Sequence, residues 1–184
     1  MTIKFKLKKN AKKIDRFLLK FLKKQKKSLL IAPMKYGVIS GGKKIRSTII
    51  FDTGKMLKVE EKKLLSVCTA VECIHSYSLI HDDLPCMDND LTRRGKPSTH
   101  KKFGEATAVL AGNSLLTLAF EIISNKKNFL SPKQKNEIIN LLSYCSGHTG
   151  IAGGQELDLK FENKRKKLNQ IIDMQKKKTG RLFN

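Results

Sequence analysis

Cysteine pairs of the kind that bind zinc or exchange electrons are missing from this sequence. The 184 residues include four cysteines, at positions 68, 73, 86 and 145, and none stands in a CxxC spacing. A zinc ribbon and a thioredoxin-type redox motif are therefore not indicated. Four cysteines in a chain of this length also do not make the dense disulfide framework of a small secreted domain. We expect reduced thiols and a cytoplasmic location.

A secretory signal and a clean membrane-spanning run are missing as well. The lysine-rich start has no apolar stretch followed by a cleavage site of small residues. The most apolar run, residues 106–123, contains Asn113 and Glu121, which favour a buried helix of a soluble protein. The sequence therefore predicts no transmembrane segment.

Arginine is scarce, although the chain is strongly basic. Only six of the 38 basic residues are arginine, and the formal net charge is +22. Sequence-specific nucleic-acid readers rely on arginine, and no zinc-finger spacing or RNP-like aromatic motif occurs. We expect a lysine-rich solvated surface and no specific nucleic-acid partner. A basic protein that binds polyanions or a membrane surface remains an alternative.

Helical periodicity dominates the chain, which has no internal repeats. Apolar residues at Ile14, Phe17, Leu18, Phe21 and Leu22 predict an amphipathic helix, packed on a core or lying on a membrane surface. The basic residues 1–12 are predicted to be frayed. An alternation typical of a strand occurs only at residues 3–7, within the segment predicted to be frayed. The fold class is therefore all-α, a helix bundle. After a break at Pro33, helices are predicted over 43–56, 62–84, 104–124, 134–146, 155–159 and 168–178. Residues 93–99 are predicted to form a loop, and the glycine-rich segment 147–154 is predicted to be either flexible or tightly packed.

Acidic residues, in contrast, cluster in one place. Asp82, Asp83, Asp88 and Asp90 fall within nine residues of a basic chain. Carboxylates this close repel one another unless a cation lies between them, and hard divalent cations prefer oxygen ligands. On an ideal helix Asp82 and Asp88 would point about 120° apart. Pro85 should end the helix, so that the chain can bring Asp88 back beside Asp82 and form a metal site.

Basic side chains flank this cluster in the sequence. Arg93 and Arg94 follow it directly, and Lys43 and Arg46 lie on one face of an upstream predicted helix. His75, two helical turns before the cluster, either reaches a phosphate or is an ordinary core histidine. Magnesium bridging carboxylates and phosphate oxygens, with lysine and arginine on the remaining oxygens, is the chemistry of a di- or triphosphate site.

Two other phosphate-related motifs have less support. The segment GVISGGK at 37–43 fits the start of a P-loop, but Lys44 stands where serine or threonine is needed, and no parallel-sheet pattern surrounds it. His81 and Asp82 match the central pair of HD-type metal phosphohydrolases. Such sites need another histidine well upstream, and the first histidine here is His75. The second motif is kept as a distant alternative.

Five sequence blocks resemble the trans-isoprenyl diphosphate synthases, the polyprenyl synthetase family, and are most similar to bacterial farnesyl diphosphate synthases. They are MKYGVISGGKKIR, VECIHSYSLIHDDLPCMDND, RRGKPSTHKKFGEATAVLAGN, GGQELDL and KKKTG. The resemblance implies an isoprenoid-synthase-type bundle around a deep apolar cavity, usually as a homodimer. Residues 13–184 would be the N-terminal part of one prenyl synthase domain. The implied activity is the magnesium-dependent, head-to-tail condensation of isopentenyl diphosphate with dimethylallyl or geranyl diphosphate, giving farnesyl diphosphate.

The resemblance also implies residue roles. The Mg²⁺ ligands would be Asp82 and Asp88, with Asp83 in support. Contacts to the allylic substrate would come from Arg93, Lys178 and Thr179, which with the three aspartates form the catalytic set. Isopentenyl diphosphate would be held by Lys43, Arg46, His75 and Arg94.

Tyr77 and Ser78 precede the aspartate motif by five and four residues. They should lie about 6–8 Å deeper along the helix than the metal. In the family, residues at this depth form the floor that stops chain growth. Bulky Tyr77, together with a two-residue insertion in the aspartate motif, implies a fifteen-carbon product. Tyr77 as an ordinary core residue is the alternative.

The sequence departs from the family pattern in three places. Asn113 stands where aspartate is common, Arg181 stands where a small residue is usual, and the second aspartate-rich motif that follows the KT pair is not found. We therefore expect a C-terminally truncated chain, with the last helices absent, that alone is poorly folded or catalytically weak. A non-catalytic remnant that binds diphosphates is the alternative.

Overall fold

Helices account for nearly the whole architecture. The computed structural model describes residues 2–39 and 41–183, so Met1 of the predicted frayed segment lies outside it. Within this range two short strands, β1 (Thr92–Arg93) and β2 (Lys96–Pro97), form an antiparallel hairpin. The all-α class is confirmed by α1 (Ile3–Lys23), α2 (Ile31–Ile39), α3 (Ile45–Met56), α4 (Glu61–Asp82), α5 (Thr99–Phe103), α6 (Glu105–Ser124), α7 (Pro132–Ser146), α8 (Ile151–Phe161), α9 (Leu168–Lys178) and a 3-10 turn (Gly180–Leu182).

The chain divides into two compact units, the first ending at Ser131 and the second beginning at Pro132. In the first unit α4 is central and packs against α1, α2, α3 and α6. Ile14, Phe51, Leu64 and Cys68 form a buried cluster that joins α1, α3 and α4. The predicted single domain over residues 13–184 remains a prediction.

Small residues allow α6 to lie close to α4. Ala108 and Ala111 are fully buried, and a side chain at Gly112 would collide with the ring of His81. By length and composition, α6 is the one helix of the described part of the chain that could cross a membrane. Its packing on α4 agrees with the predicted buried helix. The expected lack of a transmembrane segment stays a prediction.

The N-terminal prediction is wrong for residues 3–12, which are helical rather than frayed. The Thr2 hydroxyl caps α1 by accepting a hydrogen bond from the backbone N–H of Phe5 at 3.4 Å. Asn10 is buried and donates to Thr48 Oγ1 at 3.4 Å. Lys6 pairs with Asp52 at 2.7 Å. Contacts with α3, distant in sequence, therefore order a segment whose local composition suggested disorder.

The predicted break at Pro33 and the predicted loop at 93–99 are both wrong in part. Pro33 lies inside the first turn of α2, where the missing N–H would have had no partner in the helix. The segment predicted as a loop at 93–99 contains β2 and the start of α5. Two-residue strands are too short to show the alternation that predicts a strand.

In the second unit α8 packs against both α7 and α9. Helix α7, predicted over 134–146, begins at Pro132, as expected for proline at a first helical position. Helix α8, predicted over 155–159, begins at Ile151, so the second half of the segment 147–154 is helical. Gly154 brings α8 against the end of α9, since a side chain there would collide with the backbone of Lys178.

Candidate active site

A proline-terminated helix end gathers the aspartates. Helix α4 ends at Asp82, and Pro85 follows within one turn, where its ring and missing N–H prevent continuation of the helix. The chain then reverses, so that the backbone N–H of Asp88 donates to the carbonyl oxygen of Asp82 at 2.8 Å. Asn89 N–H donates to Leu84 O at 3.0 Å and closes the same turn. The predicted return of Asp88 to Asp82 is confirmed.

The three predicted metal-site aspartates differ in their surroundings. Asp82 and Asp83 are buried, at 8% and 2% exposure, whereas Asp88 is exposed. Arg93 donates to Asp83 through Nε at 2.9 Å and also through Nη2, which in addition reaches Asp90 at 2.9 Å. Burial raises the pKa of Asp83, and Arg93 opposes this rise. Asp83 is thus held by an arginine, while Asp82 and Asp88 share one backbone turn.

The donor chemistry of this turn can be compared with the needs of magnesium. Among the described residues, no group of three or more His, Cys, Asp or Glu side chains is arranged to hold a metal ion. Magnesium is usually bound by one or two carboxylates together with substrate phosphates and water, rather than by an all-protein cage. The hard oxygens of Asp82 and Asp88 fit an ion that is held jointly with a phosphorylated substrate.

The hairpin after the aspartates positions two arginines. Arg94 and Gly95 both have positive φ, 54° and 74°, which is the backbone of a type I′ turn. Arg93, before this turn, contacts Asp83. A Cβ on Gly42 would lie 2.5 Å from the Arg94 guanidinium, so Arg94 rests on the glycine backbone between α2 and α3. The turn therefore joins the aspartates to the upstream basic loop.

Arg46 and His75 meet behind this loop. Their Nη1 and Nε2 atoms are 3.3 Å apart, and because arginine has only donors, His75 accepts there and carries its proton on Nδ1. Burial, followed by repulsion from Arg46 and Arg94, lowers the pKa of His75 to about 3. His75 is therefore neutral at physiological pH. Lys43 is exposed on the loop itself.

A buried ion pair that the sequence analysis missed fixes the same loop. Lys44, with φ 49°, is 5% exposed and lies 3.4 Å from Glu72 Oε2 and 3.7 Å from Asp15. It also donates to the carbonyl of Val38 at 2.7 Å. Ser47 donates to the other oxygen of Glu72 at 2.6 Å. The signal available in the sequence was Glu72 itself, a charge on an otherwise apolar face of α4.

Tyr77 and Ser78 lie on α4 below the carboxylates. Both are largely buried, and Ser78 donates to the His75 carbonyl at 3.0 Å. The Tyr77 ring stands edge-on to His81 at 5.8 Å between centroids. Burial and the nearby charge of Asp82 raise the pKa of Tyr77. Tyr77 is thus a neutral, packed side chain close to the acidic turn.

Lys178 and Thr179 belong to the second unit. Lys178 is the last residue of α9, and Thr179 caps it with its N–H donating to Gln175 O at 3.0 Å. Lys178 pairs with Asp158 of α8. Sequence reasoning gave Asp158 no role, although it lies in the GGQELDL block. Within the first unit, the structure brings together Asp82, Asp83, Asp88, Arg93, Arg94, Arg46 and His75.

Known proteins that resemble this chain indicate one family. Residues 27–184 match the family model described as polyprenyl synthetase. The chain is 50% identical over 146 residues to the farnesyl diphosphate synthase of Buchnera aphidicola, covering 79% of this chain and 52% of that protein. It is 45% identical over 155 residues to the farnesyl diphosphate synthase of Escherichia coli, covering 84% and 52%.

A solved structure gives the same result. The FPP/GFPP synthase from Zymomonas mobilis superposes with a TM-score of 0.91 at 42% identity, over 96% of this chain and 65% of that chain. The chain spans about half the length of the curated relatives that it matches. The match to the family model covers most of the chain, so this chain belongs to the polyprenyl synthetase family.

Proposed function

We propose that this chain forms the substrate-binding part of a prenyltransferase. The reaction would join isopentenyl diphosphate head to tail with dimethylallyl or geranyl diphosphate and give farnesyl diphosphate. The observation that carries the proposal is the hydrogen bond from the Asp88 backbone to Asp82. It holds the backbones of two aspartates together at the end of α4, where Arg93 of the hairpin contacts the adjacent Asp83. The names of the curated relatives support the reaction class.

Magnesium bound by Asp82 and Asp88, supported by Asp83, would neutralise the leaving diphosphate. Arg93, which already contacts Asp83, would bind the allylic diphosphate. The family resemblance alone assigns Lys178 and Thr179 a contact with the allylic substrate. Arg93, beside the aspartates, would stabilise the negative charge that develops when the carbon–oxygen bond breaks.

The second diphosphate would be held by the basic loop. Lys43 is exposed there, and Arg46 and Arg94 converge on His75. Because His75 is neutral and its Nε2 accepts from Arg46, its Nδ1–H is available as a donor. A donor that carries no charge can bind a phosphate oxygen without repelling the two arginines. The isopentenyl double bond would then attack the allylic cation, and a proton would be lost.

Product length would be set by Tyr77 and Ser78. They lie about 7.5 and 6 Å along the α4 axis below Asp82. A packed, neutral aromatic ring at that depth fits a floor that stops growth at fifteen carbons. Replacing it by a smaller residue would lengthen the product.

A homodimer in the cytoplasm is proposed as the working form of the protein. Val109 and Leu110 of α6 are 38% and 52% exposed, and homodimer interfaces are more apolar than the rest of a protein surface. Light scattering coupled to size-exclusion chromatography would measure the assembly directly.

The proposed role of the Asp82 carboxylate in binding magnesium is tested by the Asp82→Asn variant. Titration calorimetry of the purified chain with inorganic pyrophosphate and Mg²⁺ should show affinity reduced by more than the roughly 10- to 100-fold that loss of a supporting hydrogen bond costs a metal site. Asp173→Asn is the matched control, since it removes an exposed carboxylate that pairs with Lys177 in the second unit. Equal affinity of Asp82→Asn and the parent would contradict the metal assignment.

Turnover separates the enzyme from a remnant. The purified chain is incubated with geranyl and isopentenyl diphosphates and Mg²⁺, and the products are analysed after dephosphorylation. Farnesol that disappears in Asp82→Asn supports the enzyme. Pyrophosphate binding without any turnover supports a non-catalytic remnant of the same site.

A further inference from the structure

A cleft lies beside the N-terminal end of α4, far from the aspartates at the other end of that helix. It has a volume of about 340 Å³ and is formed by α1, the first turns of α4, and the end of α6 with the turn that follows. Ser66, in its wall, precedes Asp82 by sixteen residues, which is about 24 Å along a helix. The cleft is therefore separate from the proposed active site. Its floor is apolar and largely aromatic, built from Phe17, Phe21, Leu65, Ile122 and Phe129.

The rim of this cleft is cationic. Lys20, Lys24, Lys62 and Lys127 line it, and within residues 2–39 and 41–183 none of the four lies within 4.0 Å of a carboxylate oxygen. The Lys62 ammonium lies 4.7 Å from the centroid of the Phe129 ring, in the range of a cation–π contact. The rim of the apolar floor therefore carries four cations that no ion pair of the described residues neutralises.

A neighbouring depression continues the cleft along α6. It shares Phe21, Lys24, Asn125 and Lys127 with the cleft and has a volume of about 510 Å³. Its one carboxylate, Glu121, accepts a hydrogen bond from the Gln25 side chain at 2.6 Å. Lys126 adds a further cation to the same edge. The two adjoining depressions together are lined by more cations than anions.

One wall of the cleft is fixed by hydrogen bonds. The Asn128 side chain donates to the carbonyl oxygens of Ile122 and Ile123 at 2.9 and 2.6 Å, and so satisfies carbonyls that the end of α6 leaves without a helical partner. It also accepts from the Leu130 N–H at 3.2 Å. The turn that presents Lys127 and Phe129 is thereby set before any ligand binds, as is usual for small-molecule sites.

We propose that this cleft binds a single-chain lipid phosphate. The apolar chain would lie on the phenylalanine floor, and the phosphate dianion would sit among the rim lysines, which bind phosphate as point charges. The volume is within the range of small-molecule pockets, about 300–1,000 Å³. A neutral ligand would leave the cations unused, and a free phosphate would leave the floor exposed to water. The site goes beyond the proposed function, since it shares no residue with it.

Calorimetry of the purified full chain with octyl, decyl and dodecyl phosphate, each below its micelle concentration, tests the proposal. Affinity should rise about fourfold for each added methylene, the value of one buried methylene, until the chain fills the cleft. Inorganic phosphate should bind far more weakly, and dodecanoate more weakly than dodecyl phosphate. Saturation with Mg²⁺ and pyrophosphate should leave the affinity unchanged, because the two sites are separate.

Charge-reversal variants locate the binding. Lys62→Glu with Lys127→Glu should weaken dodecyl phosphate binding about tenfold or more. Lys8→Glu with Lys12→Glu is the control, because it makes the same change in net charge on exposed residues of α1 that do not line the cleft. Leu65→Trp, which fills the floor, should abolish binding while the rim charges remain.

Four outcomes would overturn the proposal. They are an affinity that does not depend on chain length, equal weakening by the two double variants, displacement of the amphiphile by Mg²⁺ and pyrophosphate, and binding to phosphatidylglycerol vesicles that dodecyl phosphate does not compete with. The third outcome would place the ligand in the proposed active site. The last would assign the lysines to a membrane surface.

Discussion

Acid should destabilise the first unit through His75, which its surroundings hold neutral. Burial is the main cause, and the nearby charges of Arg46, Arg94, Lys44 and Arg93 add to it, so that the pKa falls from 6.5 to about 3. Replacing the residue by glutamine, which keeps hydrogen-bonding groups but cannot titrate, isolates its effect. At pH 5 the His75 ring is neutral in the folded protein, with one ring proton, whereas in the unfolded chain it takes up a second proton and becomes the cationic imidazolium.

The sign and size follow from linkage. Because the folded pKa is the lower one, the unfolded state binds more protons between about pH 3 and 6.5, and stability falls as pH drops through this window. One pKa unit corresponds to about 1.4 kcal/mol. Between about pH 7 and pH 5 the free energy of unfolding should therefore fall by about 2 kcal/mol through this one group.

Two measurements check the reasoning. The ring signal of His75, assigned by its loss in His75→Gln, should show no protonation down to about pH 4.5 in an NMR titration. Urea unfolding at about pH 7 and pH 5 should show that His75→Gln loses about 2 kcal/mol less than the parent, because the other titrating groups cancel in the difference. Titration of the folded ring near 6.5, or equal losses in both proteins, would refute the argument.

Two further predictions concern a buried ion pair and a helix contact. Glu72→Gln leaves the buried Lys44 ammonium without its main counter-charge and should lower the free energy of unfolding by about 3–5 kcal/mol. The double variant Glu72→Met with Lys44→Met should lose less stability, because no unpaired charge stays buried. An equal or larger loss in the double variant would contradict the ion-pair explanation. Gly154→Ala places a methyl group against the backbone of Lys178 and should cost about 1–3 kcal/mol by thermal unfolding. Gly180→Ala is the control, because its nearest neighbour would be 3.9 Å away.

The helices and the acidic turn were predictable because local rules determine them. The apolar spacing over 62–84 predicts α4 to within two residues of its observed ends, and the properties of proline alone indicate that Pro85 turns the chain back. The Asp88 to Asp82 hydrogen bond confirms this inference. The family was predictable for another reason, since five blocks in one order carry more information than any single motif.

Other features depend on contacts that no local pattern shows. Helix α1 starts at Ile3 because Asn10 and Lys6 reach α3, which lies about forty residues further along the chain. Phe17 and Phe21 share the spacing of the buried residues Ile14 and Leu18, yet they line a cleft instead of the core. Periodicity identifies the apolar face of a helix, but the neighbouring helices decide which part of that face is covered.

The buried ion pair of Lys44 and Glu72 matters more for fixing the position of the basic loop than for the stability of the fold. Taking two charges out of water costs several kcal/mol per ion, which the attraction between them largely offsets but seldom exceeds. Lys44 also has a left-handed backbone, which costs roughly 1–2 kcal/mol. Both costs occur in the loop whose Gly42 lies against Arg94 and whose next helical turn carries Arg46. What this arrangement provides is a fixed spacing of cations around the neutral His75, and fixed cations stabilise a diphosphate more than mobile ones because they need no reorganisation when charge develops.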